Sequence, residues 1–136
     1  MAARSPLDFV NPGEYVPGTC NIGPEEIARR RLSGHIGLVA SVALFAILVA
    51  VHAPAATRLL LFLTAGISAT GYLQAALHFC AGFGSRGVYN FGPVGSVIDV
   101  ASDEAHARDR RRSIEIGLAS ALIGVVVAVG AFVIPV

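Results

Sequence analysis

Three long apolar stretches alternate with short polar ones along this chain. Arg31 and Arg58 bracket 26 residues without a formal charge, Arg58 and Arg86 bracket 27, and 21 more follow Glu115. All 19 formally charged side chains therefore fall in the other 62 residues. A soluble domain of 136 residues needs charge on its surface helices, so this pattern excludes one and predicts membrane-spanning helices.

The first run, about residues 34–53, has 20 residues. At about 1.5 Å per residue it spans about 30 Å, the thickness of the hydrocarbon layer. Pro54 disfavours helix at the residue before it, so residues 53–56 predict a tight turn. The second run, about 57–80, has 24 residues and crosses with some tilt. So short a turn makes the first two helices an antiparallel hairpin. The third run covers about 114–134. The expected fold class is an all-α membrane protein with three transmembrane helices and short cytoplasmic interfacial helices.

The polar segments predict the rest of the organisation. Pro6, Pro12, Gly13, Pro17 and Gly18 break residues 1–22 into an irregular cytoplasmic arm. Residues 23–136 form a single membrane domain. Pro24, Glu25 and Glu26 suit the first turn of a short helix that leads into the first span, with Arg29, Arg30 and Arg31 further along. The cytoplasmic loop, 81–113, holds five glycines and Pro93 within residues 81–98. That stretch predicts a surface loop on the interface, anchored by Phe83, Tyr89 and Phe91. A charged helix over 99–112 follows, with Asp103 and Glu104 early and Arg108, Arg110, Arg111 and Arg112 late.

Charge sign gives an orientation. Arg4 and Arg29–Arg31 precede the first span, Arg58 alone lies between the first two, and Arg86 and the four late arginines lie in the loop. Nine of ten arginines on one side predict a multi-pass protein of the cell (inner) membrane, N-terminus cytoplasmic and C-terminus on the outer side. Arg29–Arg31, Arg108 and Arg110–Arg112 are the lipid and topology residues, with Glu115 expected to pair with Arg111 or Arg112. The net charge of +1 argues against a nucleic-acid partner. Two cysteines cannot make a disulfide framework. No continuous apolar core precedes residues 12–18, so the first span is expected to be retained rather than cleaved as a signal.

Lipid gives apolar helices no reason to associate, so small and polar residues mark where they meet. These are Gly37 and Ser41 in the first span, Gly66, Thr70 and Gln74 in the second, and Gly117, Ser120 and Gly124 in the third. They pack the three helices on one another or on a partner. Thr70, Gln74 and His78 also line one face of the second span, the best candidate for a polar pathway. The absence of acidic residues inside the spans weakens a proton-coupled transporter.

Four soft ligands fall toward one side: Cys20, His35, His78 and Cys80. In number they satisfy a tetrahedral metal site, although their spacing matches no compact motif, and no resident cofactor is predicted. Residues 80–86 have the Cys-x5-Arg form of thiolate anion loops, but here the cysteine ends a membrane helix with no α/β domain around it. No phosphate loop, Ser/His/Asp constellation or paired buried carboxylates appear, so nothing points to an enzyme.

Cys20-Asn21-Ile22-Gly23, then Arg29–Arg31 and a hairpin ending Leu77-His78-Phe79-Cys80, resembles the YgaP-like small transmembrane domain family over residues 20–84. Ala81 stands where that family commonly has proline. The resemblance implies a dimerising membrane hairpin and no catalytic role for Cys80. The expected function is a small accessory or scaffold subunit that binds lipid and either other integral membrane subunits or its own copies. Two alternatives stand beside it: a thiol- or metal-handling protein using the Cys/His group, and a small oligomeric channel or transporter.

Overall fold

The computed structural model describes residues 14–136. Arg4 lies outside them, as does most of the N-terminal arm. Three helices are long and apolar enough to cross a membrane. The first, α1, runs Pro24–Ala50, with Pro24 in its first turn and Glu25 and Glu26 at its positive end. Its 27 residues span about 40 Å, so the short helix expected at 24–33 and the first span are one rod. Past Pro54 a 3-10 turn, Ala55–Leu60, feeds α2, Leu61–Leu77.

The second span stops three residues earlier than the apolar run suggests. His78 takes a left-handed conformation (φ 54°) and its amide closes on the Gln74 carbonyl. The chain then turns into the short helix α3, Ala81–Arg86, which ends at the left-handed Gly87. Strands β1, Val88–Tyr89, and β2, Ile98–Asp99, pair antiparallel, Val88 with Asp99 and Tyr89 with Ile98. The first part of the glycine-rich segment, 81–91, is therefore folded onto the helices, while 93–99 stay exposed. Phe83 is buried, and Tyr89 stacks on Tyr15 at 4.5 Å. The last helix, α4, spans Asp103–Val133, with the Ser102 hydroxyl accepting from the Ala105 amide. It fuses the expected charged helix and third span into one rod of 31 residues, about 46 Å long.

Small residues set the packing. A Cβ on Gly34 would strike the Tyr72 ring, one on Gly37 would strike Ser68, and one on Gly71 would strike the Gly34 backbone. So close an approach lets the Ser68 hydroxyl donate to the Gly34 carbonyl at 2.8 Å across the two helices. Gly124 of α4 rests against the Phe62 carbonyl and ring in the same way. The outward faces are apolar, with Val39 68% and Leu118 67% exposed, as suits contact with lipid.

At one end of the helices sits a polar crown that includes part of the expected arm. Asn21, Asn90 and Asp109 are fully buried and Glu26 is 1% exposed. The Asn21 side chain accepts from the Cys80 amide at 2.6 Å and donates to the Cys80 carbonyl at 3.1 Å. Residues 21–23 also bond to the backbone of His78 and Asn90, so Ile22 bridges Asn90 as a parallel pair. Asn90 donates to Glu26 (3.2 Å) and to the Pro93 carbonyl (2.9 Å). Asp109 accepts from the Tyr15 hydroxyl at 2.6 Å and the Gly18 amide at 2.7 Å. Every one of these buried polar side chains has partners, the condition for enclosing it at low cost. Beneath them lie Ile22, Ile27, Ala75, Cys80, Phe83 and Val88.

The opposite end is closed by Arg58. Only 4% exposed, its guanidinium donates to the carbonyls of Ala131 in the last turn of α4 and of Ile134 and Val136 just beyond it. A helix C-terminus leaves carbonyls unpaired and carries partial negative charge, and one cation satisfies both.

Candidate functional site

The expected four-residue metal site is not assembled. Among the described residues no three His, Cys, Asp or Glu side chains group in a way that could hold a metal ion. Each of the four has other company. The Cys20 thiol is buried 3.9 Å from the Ile22 carbonyl, and burial pushes its pKa up, keeping it protonated. His35 Nδ1 lies 2.6 Å from the Tyr72 hydroxyl on the exposed flank of α1. His78 forms the left-handed end of α2, half-buried. Arg30 Nη2 donates to Cys80 Sγ at 2.9 Å, and a neighbouring cation opposes binding of another. Both cysteines are free thiols.

The polar stripe on α2 is spent locally. Thr70 donates to the Gly66 carbonyl one turn back, and Gln74 Oε1 accepts from the Ala81 amide at the start of α3. Ser41 similarly donates to the Gly37 carbonyl. Of the glycines read as packing positions, Gly37 and Gly124 are filled by neighbouring helices. Gly66 and Gly117 have nothing within 4 Å of where a Cβ would stand.

These two open glycines flank a groove of about 350 Å³ between α2 and α4, lined also by Phe62, Thr70, Ser120 and Ala121. Ser120 lies at its floor, 4% exposed, its hydroxyl without a hydrogen-bond partner among the described residues. A serine in a helix ordinarily bonds back to the preceding turn, so this one is left under-satisfied.

At the crown end, a polar cleft of about 530 Å³ opens between α1, the end of α2, and α3. Arg29, Arg30 and Arg86 line it with Ser33, Gln74 and Cys80. The Phe83 ring lies under two guanidinium groups, 5.3 Å from Arg30 and 5.4 Å from Arg86. Arg30 is neutralised by Glu26 at 2.5 Å. Among the described residues no carboxylate lies within 4.0 Å of Arg29 or Arg86. The sequence marks Arg29 and Arg30 as topology residues and counts Arg86 with the loop arginines, setting its Cys-x5-Arg spacing aside. With residues 81–86 wound into a helix, it is Arg30 that meets the thiol, while Arg86 Nε reaches back to the Gly82 carbonyl. On α4, Glu115 pairs with both Arg111 (3.6 Å) and Arg112 (3.2 Å), as expected, and Arg108 with Glu104 (3.4 Å).

Compared with known protein families, curated proteins and solved structures, the chain matches none.

Proposed function

We propose that this protein is a small multi-pass scaffold subunit of the cell membrane that takes a transmembrane helix of another subunit into the α2–α4 groove. The observation that carries this reading is the pair of open glycines, Gly66 and Gly117, beside the unpartnered Ser120 hydroxyl. Internal packing accounts for Gly34, Gly37, Gly71 and Gly124 but leaves these two, and Gly130 further along α4, unused. Close backbone approach between helices in lipid needs such residues.

The reading includes a membrane arrangement. The opposed pairings of Gly34 with Tyr72 and Gly37 with Ser68 support an antiparallel α1–α2 hairpin. The folded crown with α3 supports a cap at the cytoplasmic interface, since eight of the nine described arginines belong to that end and only Arg58 to the other. In this orientation the C-terminus faces the outer side of the inner membrane. The dimerising hairpin suggested by the sequence resemblance makes a second copy one form of the partner.

The test is the size of the particle in mild detergent, measured by light scattering, with its constituents identified by mass spectrometry. The scaffold reading expects a complex that Gly66→Leu and Gly117→Leu reduce to a folded monomer. A wild-type monomer extracted alone would sink it. A thiol-handling role at Cys80 draws on the Arg30 contact. It requires that Cys80 react with a maleimide in the intact protein, while Cys80→Ser abolishes labelling.

A further inference from the structure

The cleft lined by Arg29 and Arg86, neither with a carboxylate partner among the described residues, borders the apolar part of the helices. It shares Arg29 and Ser33 with a second depression of about 330 Å³ between α1 and α2, lined by Leu32, Ile36, Gly37, Ala40, Thr64 and Ile67. A cationic cleft at the polar end of the helices thus adjoins an apolar depression along the spans. Gly37, having no side chain, keeps the floor of that depression low where α1 meets Ser68.

We propose that this joint cavity binds one anionic phospholipid, its phosphate between Arg29 and Arg86 and one acyl chain in the α1–α2 depression. The charge balance favours an anion. Glu26 answers Arg30, leaving Arg29 and Arg86 without a carboxylate partner among the described residues, and both are exposed enough to turn toward a ligand. Arg30 is fixed by Glu26, Cys80 Sγ and the Phe83 ring, so it gives the cleft a rigid wall while its neighbours close. Guanidinium groups suit phosphate because they donate paired, parallel N–H bonds. The adjoining apolar depression favours a lipid phosphate over a soluble one, for which it would have no use. This site is distinct from the basic face of α4, where Arg108, Arg111 and Arg112 already pair with Glu104 and Glu115.

Native mass spectrometry of the detergent-purified full chain, titrated with phosphatidic acid, phosphatidylglycerol or phosphatidylcholine, tests it. The expected result is one retained anionic lipid per chain, bound at least tenfold more tightly than phosphatidylcholine. Arg29→Gln with Arg86→Gln lowers that affinity at least tenfold, whereas Arg110→Gln with Arg111→Gln, which removes the same charge from α4, changes it less than twofold. Ala40→Phe, which fills the depression, weakens binding of long-chain lipid but not of its short-chain analogue. Inorganic phosphate at millimolar concentration does not displace the lipid. Equal loss from both double variants would overturn the proposal as general attraction to a basic surface. Displacement by inorganic phosphate would overturn it in favour of a soluble anion. Both arginine pairs are exposed, and circular dichroism of each variant verifies folding before binding is scored.

Discussion

Two glycines five residues apart on α2 should respond in opposite ways to the same methyl group. At Gly71 a Cβ would stand 2.7 Å from the Arg30 carbonyl oxygen and 2.8 Å from Gly34 Cα. Both are backbone atoms, so no rotamer change relieves the clash. The Gly34 nitrogen lies closer still, and ordinary contact begins at 3.4 Å, so α1 and α2 must part by about 1 Å. Overpacking of this kind costs about 1–3 kcal/mol. The same displacement stretches the Ser68–Gly34 hydrogen bond from 2.8 Å toward the limit of bonding, at a cost of about 0.5–1.5 kcal/mol. Against these stands a helix-propensity gain of up to about 1 kcal/mol for alanine over glycine. The net expectation for Gly71→Ala is destabilisation by about 1–3 kcal/mol. At Gly66, with nothing within 4 Å, only the propensity gain remains, so Gly66→Ala should be neutral or stabilising by up to about 1 kcal/mol. Equilibrium unfolding in mixed micelles with rising SDS, followed by circular dichroism, measures both. Agreement of the two variants in sign and size would refute the packing assigned to these helices.

Arg58→Gln should fray the last turn of α4 and destabilise the protein by about 2–3 kcal/mol, because three carbonyls lose a charged donor. Faster amide hydrogen exchange near residues 130–134, with the crown unchanged, would be its signature. Asn21→Ala leaves the buried Cys80 amide unsatisfied, about 1–3 kcal/mol, while the Cys80 carbonyl keeps the Gly84 amide. It should also make Cys80 reactive toward a maleimide that wild type resists, and unchanged labelling would contradict the crown geometry. Tyr15 gives a pH dependence. Burial, then its hydrogen bond and proximity to Asp109, push its pKa above the ordinary 10.0. The folded chain holds the proton where the unfolded chain releases it, so stability falls as pH rises above about 10. Tyr15→Phe should flatten that fall in a thermal-melt series, and an identical profile would count against it.

The spans were legible because a bilayer imposes a length and an apolar composition that few other structures share. Their ends were less so. Neither fused helix is interrupted where charge begins: nothing at Leu32–Ser33 or at Ser113 breaks an α-helix, so α1 and α4 run on through the charged segments. The crown was hidden for a different reason. Asn21 meets Cys80 across 59 positions and Tyr15 meets Asp109 across 94, and nothing in either neighbourhood announces the other. Residues 14–22 read as an arm because Pro17 and Gly18 forbid regular structure, yet an irregular strand can still be buried when its polar groups find partners. Small-residue stripes showed which residues pack, but not which partner each meets. Gly37 and Gly66 look alike in sequence, and one is filled while the other is open. The Cys/His residues do not group because residue count ignores competitors: Arg30 and Tyr72 hold Cys80 and His35.

The central claim is that the α2–α4 groove receives a partner helix, and cysteine cross-linking in native membranes tests it most directly. Cys20 and Cys80 are 6% and 5% exposed, so they contribute little background. Single cysteines at Gly117, beside the groove, and at Leu118, 67% exposed on the outward apolar face, are oxidised in parallel. The account predicts a discrete adduct from Gly117→Cys, whose mass identifies either a second copy or another subunit, and none from Leu118→Cys. Equal adducts from both positions, or none from Gly117→Cys, would contradict it.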